Sequence, residues 1–203
     1  VVERWPSPVA HVAPDGFHAC SYDFSRVERA MPGYGIVLPE IVPRADPVNL
    51  FTVFNCRDGR TTFSFSLEDA ASRNHHPSMD GAFHYFHHAL FSPDSSRLFF
   101  LHRWIDKEQR RWTRMFSVTP DGKDLYLFPM DEMVSHVTWT SSSEIFGYLR
   151  YPGRGDGYFM VEDRSGQAER FFQDRLDSDG HPTMDRRRGV VVTDTYPDRF
   201  RNQ

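Results

Sequence analysis

The sequence lacks most of the features that announce a particular chemistry. Its 203 residues hold only two cysteines, Cys20 and Cys56. Two thiols make no disulfide framework, do not fix a redox compartment, and are not spaced as a paired C-x-x-C zinc site. Both lie in aromatic-rich stretches (HACSYDF and FTVFNCRDG) and read as buried thiols, with a single disulfide left open. No run approaches the roughly 18 apolar residues of a membrane span, and no charged start with an apolar core marks a signal peptide. A leader removed from a longer chain stays open. Basic excess is missing as well: 24 Lys+Arg against 28 Asp+Glu give a net charge of -4, and Arg186–Arg188 is the longest basic run. That argues against a nucleic-acid partner. There is no G-x-S-x-G elbow, Walker-type loop or H-E-x-x-H helix. Helical periodicity is nearly absent, and short helices are expected only over about Asp23–Ala30 and Ser66–Ser72.

What is present is apolar and aromatic. At 39% hydrophobic and 15% aromatic the chain can build a sizeable core. Short β-branched and aromatic runs alternate with turn chemistry, as in HHALF-SPDS-SRLFFLHRW, RWTRMFSV-TPDG-KDLYLFP, SHVTW-TSSS-EIFGYLRY and GYFMVED-RSG-QAERFF. Pro at the first central turn position, followed by Asp and Gly, completes a reversal. Evenly spaced short strands predict an all-β fold. The hairpins come in two alternating kinds, and one of each makes a four-stranded antiparallel sheet, the blade of a β-propeller.

Histidine is the unusual count, at 10. Anchored on the first strand of each sheet, His88, His136 and His181 recur at intervals of 48 and 45 residues, near the roughly 40–45-residue blade repeat. This places blade one over 5–70 with a loop inserted at 24–48. Blade two follows over 85–133, blade three over 134–174 and the start of blade four over 179–203. Three and a half blades would not close, since propellers have about four to eight, so further blades are expected outside this sequence. The innermost strand of a blade lines the axis, and the second strand returns to the same mouth. The expected pairs are His88 with His102 beside Arg103, His136 with Arg150 near Tyr148, and His181 with Thr195 and Tyr196. His84 and His87 could join this rim. His75 and His76 read as solvated loop residues, and His11 and His18 as structural.

Several of these stretches are familiar. HYFHHALFSPDSSRLFFLHRW, MFSVTPDGKDLYLF, MVSH, DGHP and VTDTYPDR resemble a bacterial group of propellers with TolB-type repeats, related to oligogalacturonate lyases and ulvan lyases. The resemblance implies a seven-bladed propeller and an acidic, uronate-containing glycan cut by β-elimination. It also implies a divalent metal (Mn, Zn or Ca) on rim histidines, and a periplasmic or secreted bacterial compartment. The metal loop of oligogalacturonate lyases, with a Gln and two closely spaced His, is not visible here; GHPTM retains only His181. In β-elimination a base removes the proton α to the carboxylate, a cation neutralises that carboxylate, and an acid protonates the departing oxygen. The roles expected on this resemblance are His88 or His102 as base and Tyr148 as acid, with Arg150, Arg103 or Arg164 as carboxylate clamp. His136 and His181 become metal or substrate ligands, and Tyr196 and His84 line the substrate. The alternatives are a non-catalytic propeller binding a glycan or protein partner, and a propeller gating a peptidase domain.

Overall fold

A computed structural model describes residues 7–37, 49–130, 132–176, 178–185 and 187–196. The rest of the expected insertion (38–48), Arg186 and the end of the fourth unit (197–203) lie outside the described residues.

The fold is all-β and is made of meanders. The first sheet contains β1 (His11–Val12), β2 (His18–Ser21), β3 (Leu50–Asn55) and β4 (Thr61–Ser66). The second contains β5 (Phe83–Phe91), β6 (Leu98–Ile105), β7 (Arg111–Val118) and β8 (Tyr126–Leu127). The third contains β9 (Val134–Trp139), β10 (Glu144–Tyr151), β11 (Gly155–Glu162) and β12 (Ala168–Phe171), and a hairpin of β13 (Thr183–Asp185) and β14 (Val190–Val192) follows. Each four-stranded sheet is antiparallel and runs in strict chain order. The two expected helices are there: α1 (Phe24–Ala30), capped by Asp23, and α2 (Leu67–Ser72), opened by a Ser66–Asp69 capping box. Among the described residues no helix is long and apolar enough to cross a membrane.

Local chemistry explains the reversals. In the Ser92–Ser96 turn, Asp94 accepts from the Ser92 hydroxyl at 2.7 Å and from the Ser96 backbone N–H at 3.2 Å. Gly122 completes the Thr-Pro-Asp-Gly turn in the left-handed region, at φ 77, which glycine enters without steric cost.

The sheets pack face to face through their alternating side chains. On β6, Phe100 faces the first sheet, where Phe51 stacks on it at 4.1 Å. Phe99 and Leu101 face the third sheet, in a layer with Val137, Trp139, Ile145 and Phe159. Both faces of the middle sheet are therefore core, which is why LFFLHRWI reads as a nearly continuous apolar run. Polar clasps join the layers. Trp139 Nε1 donates to the Leu90 carbonyl at 2.8 Å, and Arg97 crosses from the second sheet to Asp163 of the third at 2.7 Å. Both cysteines are free thiols, with Cys20 buried.

Candidate functional site

The first strands of successive sheets face one another, β1 against β5 and β5 against β9. Two of these strands are bulged at their histidines. On β5 the pairing with β6 slips between His87 and Ala89, leaving His88 as the extra residue at φ 57. On β9 the pairing with β10 slips where Val134 and Val137 face Leu149 and Gly147, so Ser135 and His136 together oppose Tyr148. A bulge disrupts the ladder locally and re-aims a side chain. Gly147 permits the second bulge: a Cβ there would lie 2.3 Å from the His136 carbonyl oxygen.

The result is a cluster of rings on the facing inner strands. His136 and His181 lie 4.0 Å apart between ring centres, and His88 stands 6.5 Å from His136. Tyr196 is 6.1 Å from His136 and 5.7 Å from His181. His87 is 6.0 Å from His88 and 6.5 Å from Tyr34. The Tyr22 hydroxyl accepts from the His88 backbone N–H at 3.4 Å.

Carboxylates orient two of the imidazoles. His181 Nδ1 contacts both oxygens of Asp194, at 2.9 and 3.0 Å, and its backbone N–H donates to the same carboxylate at 2.6 Å. His136 Nδ1 lies 3.1 Å from the Ser135 hydroxyl, which donates to Asp179 at 2.5 Å, and Asp179 Oδ1 is 3.6 Å from the imidazole. Burial pushes the Asp179 carboxyl up, but bonds from His136 and Ser135 outweigh it and hold it below the usual range. The His181 backbone bond, followed by its side chain, does the same for Asp194. A carboxylate on Nδ1 fixes the tautomer and leaves Nε2 as the working nitrogen.

Arg103 sits at the back of the cluster, 7% exposed. Its hydrogen-bond contacts among the described residues are long ones, including Nη1 to Met31 Sδ at 3.6 Å and Nη2 to the Val134 carbonyl at 3.5 Å. Burial, then Arg103, depresses both neighbouring histidines, His87 to about 3 and His88 to about 4. His102 is held well below the ordinary value, first by burial and then by His84. These imidazoles are neutral in the folded chain at pH 7. Their folded pKa values lie below the unfolded value near 6.5, so the unfolded chain binds more protons and stability falls as pH drops through 6.5. Between pH 7 and 5 the expected loss is about 1–2 kcal/mol per histidine. Urea unfolding at stepped pH checks this, and His88→Gln should remove about one proton from the slope.

Not every expected residue joins the cluster. His102 pairs with Phe86, not His88: the ladder from the Phe91–Leu98 end leads to Leu101 opposite His88, one residue short of His102, and the bulge carries His102 one position further along β5. A one-residue slip moves a side chain to the other face. His102 is fully buried toward the first sheet, where its Nε2 meets His84 Nδ1 at 2.9 Å. The expected base His102 and substrate residue His84 thus form a separate pair, and Arg103 alone of the His102–Arg103 dipeptide faces the site. Tyr148, the expected acid, packs on Tyr158 at 5.3 Å between the third sheet and the last hairpin. Arg150 pairs with Asp156 at 2.6 Å, and Arg164 lies exposed against Asp124 at 3.4 Å. His87 joins the cluster as expected, whereas Asp179, Asp194 and Ser135 went unassigned in the sequence. The visible signal was a carboxylate beside each end of the His181 hairpin, in DSDGHP and VTDT.

The fit of the expected divalent ion can be tested on His136 and His181. Their chemistry suits one, since carboxylate-backed imidazoles are common metal ligands. Their 4.0 Å ring separation is tighter than the roughly 5 Å that two imidazoles on one tetrahedral ion require. Among the described residues no group of three or more His, Cys, Asp or Glu is arranged to hold an ion. The proton transfers below are therefore assigned to the chain's own groups.

No protein-family model matches the chain, and no curated protein or solved structure matches it. The resemblance to propeller lyases is therefore one of sequence motifs alone.

Proposed function

We propose that the sheets are blades of a β-propeller, about three and a half of a ring of seven, and that the clustered rings form a polysaccharide lyase site for a uronate-containing glycan. The observation that carries this reading is the convergence of His88, His136, His181 and Tyr196 in front of a buried arginine. A binding rim would leave such histidines apart and bonded to backbone. Strict meander order, with first strands facing one another, supports the propeller.

In this reading Arg103 neutralises the uronate carboxylate, which acidifies the adjacent C5 proton. His136 Nε2, oriented through Ser135 and Asp179, takes that proton. The C5–H electron pair forms the C4–C5 double bond, the C4–O bond breaks, and Tyr196 gives its proton to the leaving oxygen. Burial, then Asp179, raises the Tyr196 phenol, keeping it protonated and able to donate. His88 stays neutral and can accept a hydrogen bond from a sugar hydroxyl, and His181 braces the His136 ring. The bacterial setting and periplasmic or secreted compartment belong to the same proposal.

Incubation with pectate, ulvan, alginate or a glycosaminoglycan, with and without Mn, Zn or Ca, tests the reading. Ultraviolet absorbance of an unsaturated uronate product with at least one polymer is expected. Binding of a polymer with no product would instead make the protein a glycan-binding module.

A further inference from the structure

Among the described residues, three polar atoms on one face of the second sheet are buried without a hydrogen-bond partner of full geometry: Arg103 Nε, the Tyr85 hydroxyl and His87 Nδ1. Their grouping follows from register. Tyr85 is the cross-strand partner of Arg103, and His87 lies two residues further along β5, on the same face. Tyr85 is fully buried. Its hydroxyl acts on Arg103 through charge and through a weak side-chain hydrogen bond, yet among the described residues neither it nor Arg103 Nε reaches full hydrogen-bond geometry with any partner.

Buried donors are almost always satisfied, and a buried cation without an anion is costly. Among the described residues no carboxylate pairs with Arg103. The groups that act on its charge, after burial, are Tyr85, Arg111 and Tyr196, one of them a second cation. Glu28, the acid on the overlying α1, is already spent: its carboxylate accepts from the backbone N–H of Gly33 at 2.9 Å and of Gly35 at 3.0 Å. Those bonds fold the segment after α1 back over the site, bringing Met31 against Arg103 and Tyr34 against His87. Val27, Ala30 and Tyr85 form the apolar layer beneath that cover.

We propose that Arg103, Tyr85 and His87 form a seat for one carboxylate group, with the Met31–Tyr34 segment as its cover. The guanidinium Nε–H, the Tyr85 O–H and the His87 Nδ1–H are three donors, and the two oxygens of a planar carboxylate accept all three. Neutral His87 adds a donor without a second buried charge. This inference rests on the uronate reading and deepens it: Tyr85 and His87 become residues that select an acidic sugar over a neutral one.

Calorimetric titration of the protein with galacturonate, glucuronate, glucose, sulfate and phosphate tests the seat without requiring turnover. A uronate should bind and glucose should not, with sulfate and phosphate weaker than the uronate. Tyr85→Phe should weaken uronate binding about tenfold. Arg103→Met should abolish it while leaving the melting temperature of the unliganded protein unchanged or higher, because an unpaired buried cation has been removed. A purely structural Arg103 would give the opposite sign, a lower melting temperature. Equal binding of glucose and uronate, tighter binding of sulfate, or wild-type affinity in both variants would overturn the proposal. Uronate binding lost in Tyr85→Phe by a protein that forms no unsaturated product keeps the seat and removes the lyase. Product formed at wild-type affinity by Tyr85→Phe and Arg103→Met keeps a lyase activity but removes both the seat and the role of Arg103 in the chemistry.

Discussion

Replacing His136 with alanine is expected to cut turnover of a uronate polymer by about 10²–10⁴-fold, the usual contribution of a general base. The size follows from its position. His136 stands at the centre of the ring cluster, 4.0 Å from His181 and 6.5 Å from His88, and it is backed by Ser135 and Asp179. Asp179→Asn should lower kcat with a smaller change in KM, because it alters tautomer and orientation while leaving the ring in place. His75→Ala, in an exposed loop and paired with Asp80, is the matching control and should stay near wild type. Initial rates of unsaturated product formation check all three. A His136→Ala protein as active as wild type would remove His136 from the chemistry.

Arg97→Ala is expected to destabilise the fold by about 3–5 kcal/mol, the cost of breaking a buried pair by removing one partner. Arg97 is 5% exposed and so is Asp163. Its Nε donates to Asp163 at 2.7 Å, its Nη2 to the Ser117 hydroxyl at 2.7 Å and its Nη1 to the Asp124 carbonyl at 2.8 Å. Ser117 also donates to Asp163. Without the guanidinium, Asp163 is left as a buried carboxylate with Ser117 as its main remaining donor. The second and third sheets, which carry His88 and His136, lose their charged clasp. Against a total stability of about 5–15 kcal/mol for a typical domain, such a loss would show clearly as a lower urea midpoint. Arg164→Ala, with its exposed partner Asp124, should cost less than about 1 kcal/mol.

Much of the architecture was legible because turn chemistry is local. Ser-Pro-Asp, Thr-Pro-Asp-Gly and Arg-Ser-Gly mark reversals wherever they fall, and the strands between them followed. The spacing of His88, His136 and His181 was legible for the same reason, since one strand per sheet repeats with the sheet. Their partners were not. Counting 14 residues across a hairpin overshoots the ladder, which leads to Leu101 opposite His88, Tyr148 opposite His136 and Asp194 opposite His181, and bulges at His88 and His136 disturb the first two further. The overshoot exchanged Arg103 for His102 and hid Asp194 behind Thr195. Bulges arise from how neighbouring sheets meet, and no local residue pattern announces them here. Gly147 is the exception in hindsight, a glycine inside a strand run, which often marks a bulge or a close backbone approach. Arg103 illustrates the converse. Its neighbours in sequence are polar or aromatic, and only the packed sheet shows that it is buried without an acid.

In the proposed function the inner-strand histidines form one ligand site, separate from the His84–His102 pair. Side-chain nitrogen NMR of the ten histidines, titrated with an oligogalacturonate, tests it most directly. The account predicts that His88, His136, His181 and His87 shift together and saturate at one ligand concentration, while His75, His76, His84 and His102 stay in place. Shifts confined to His84 and His102, or no shift in the inner-strand set at saturating ligand, would contradict it.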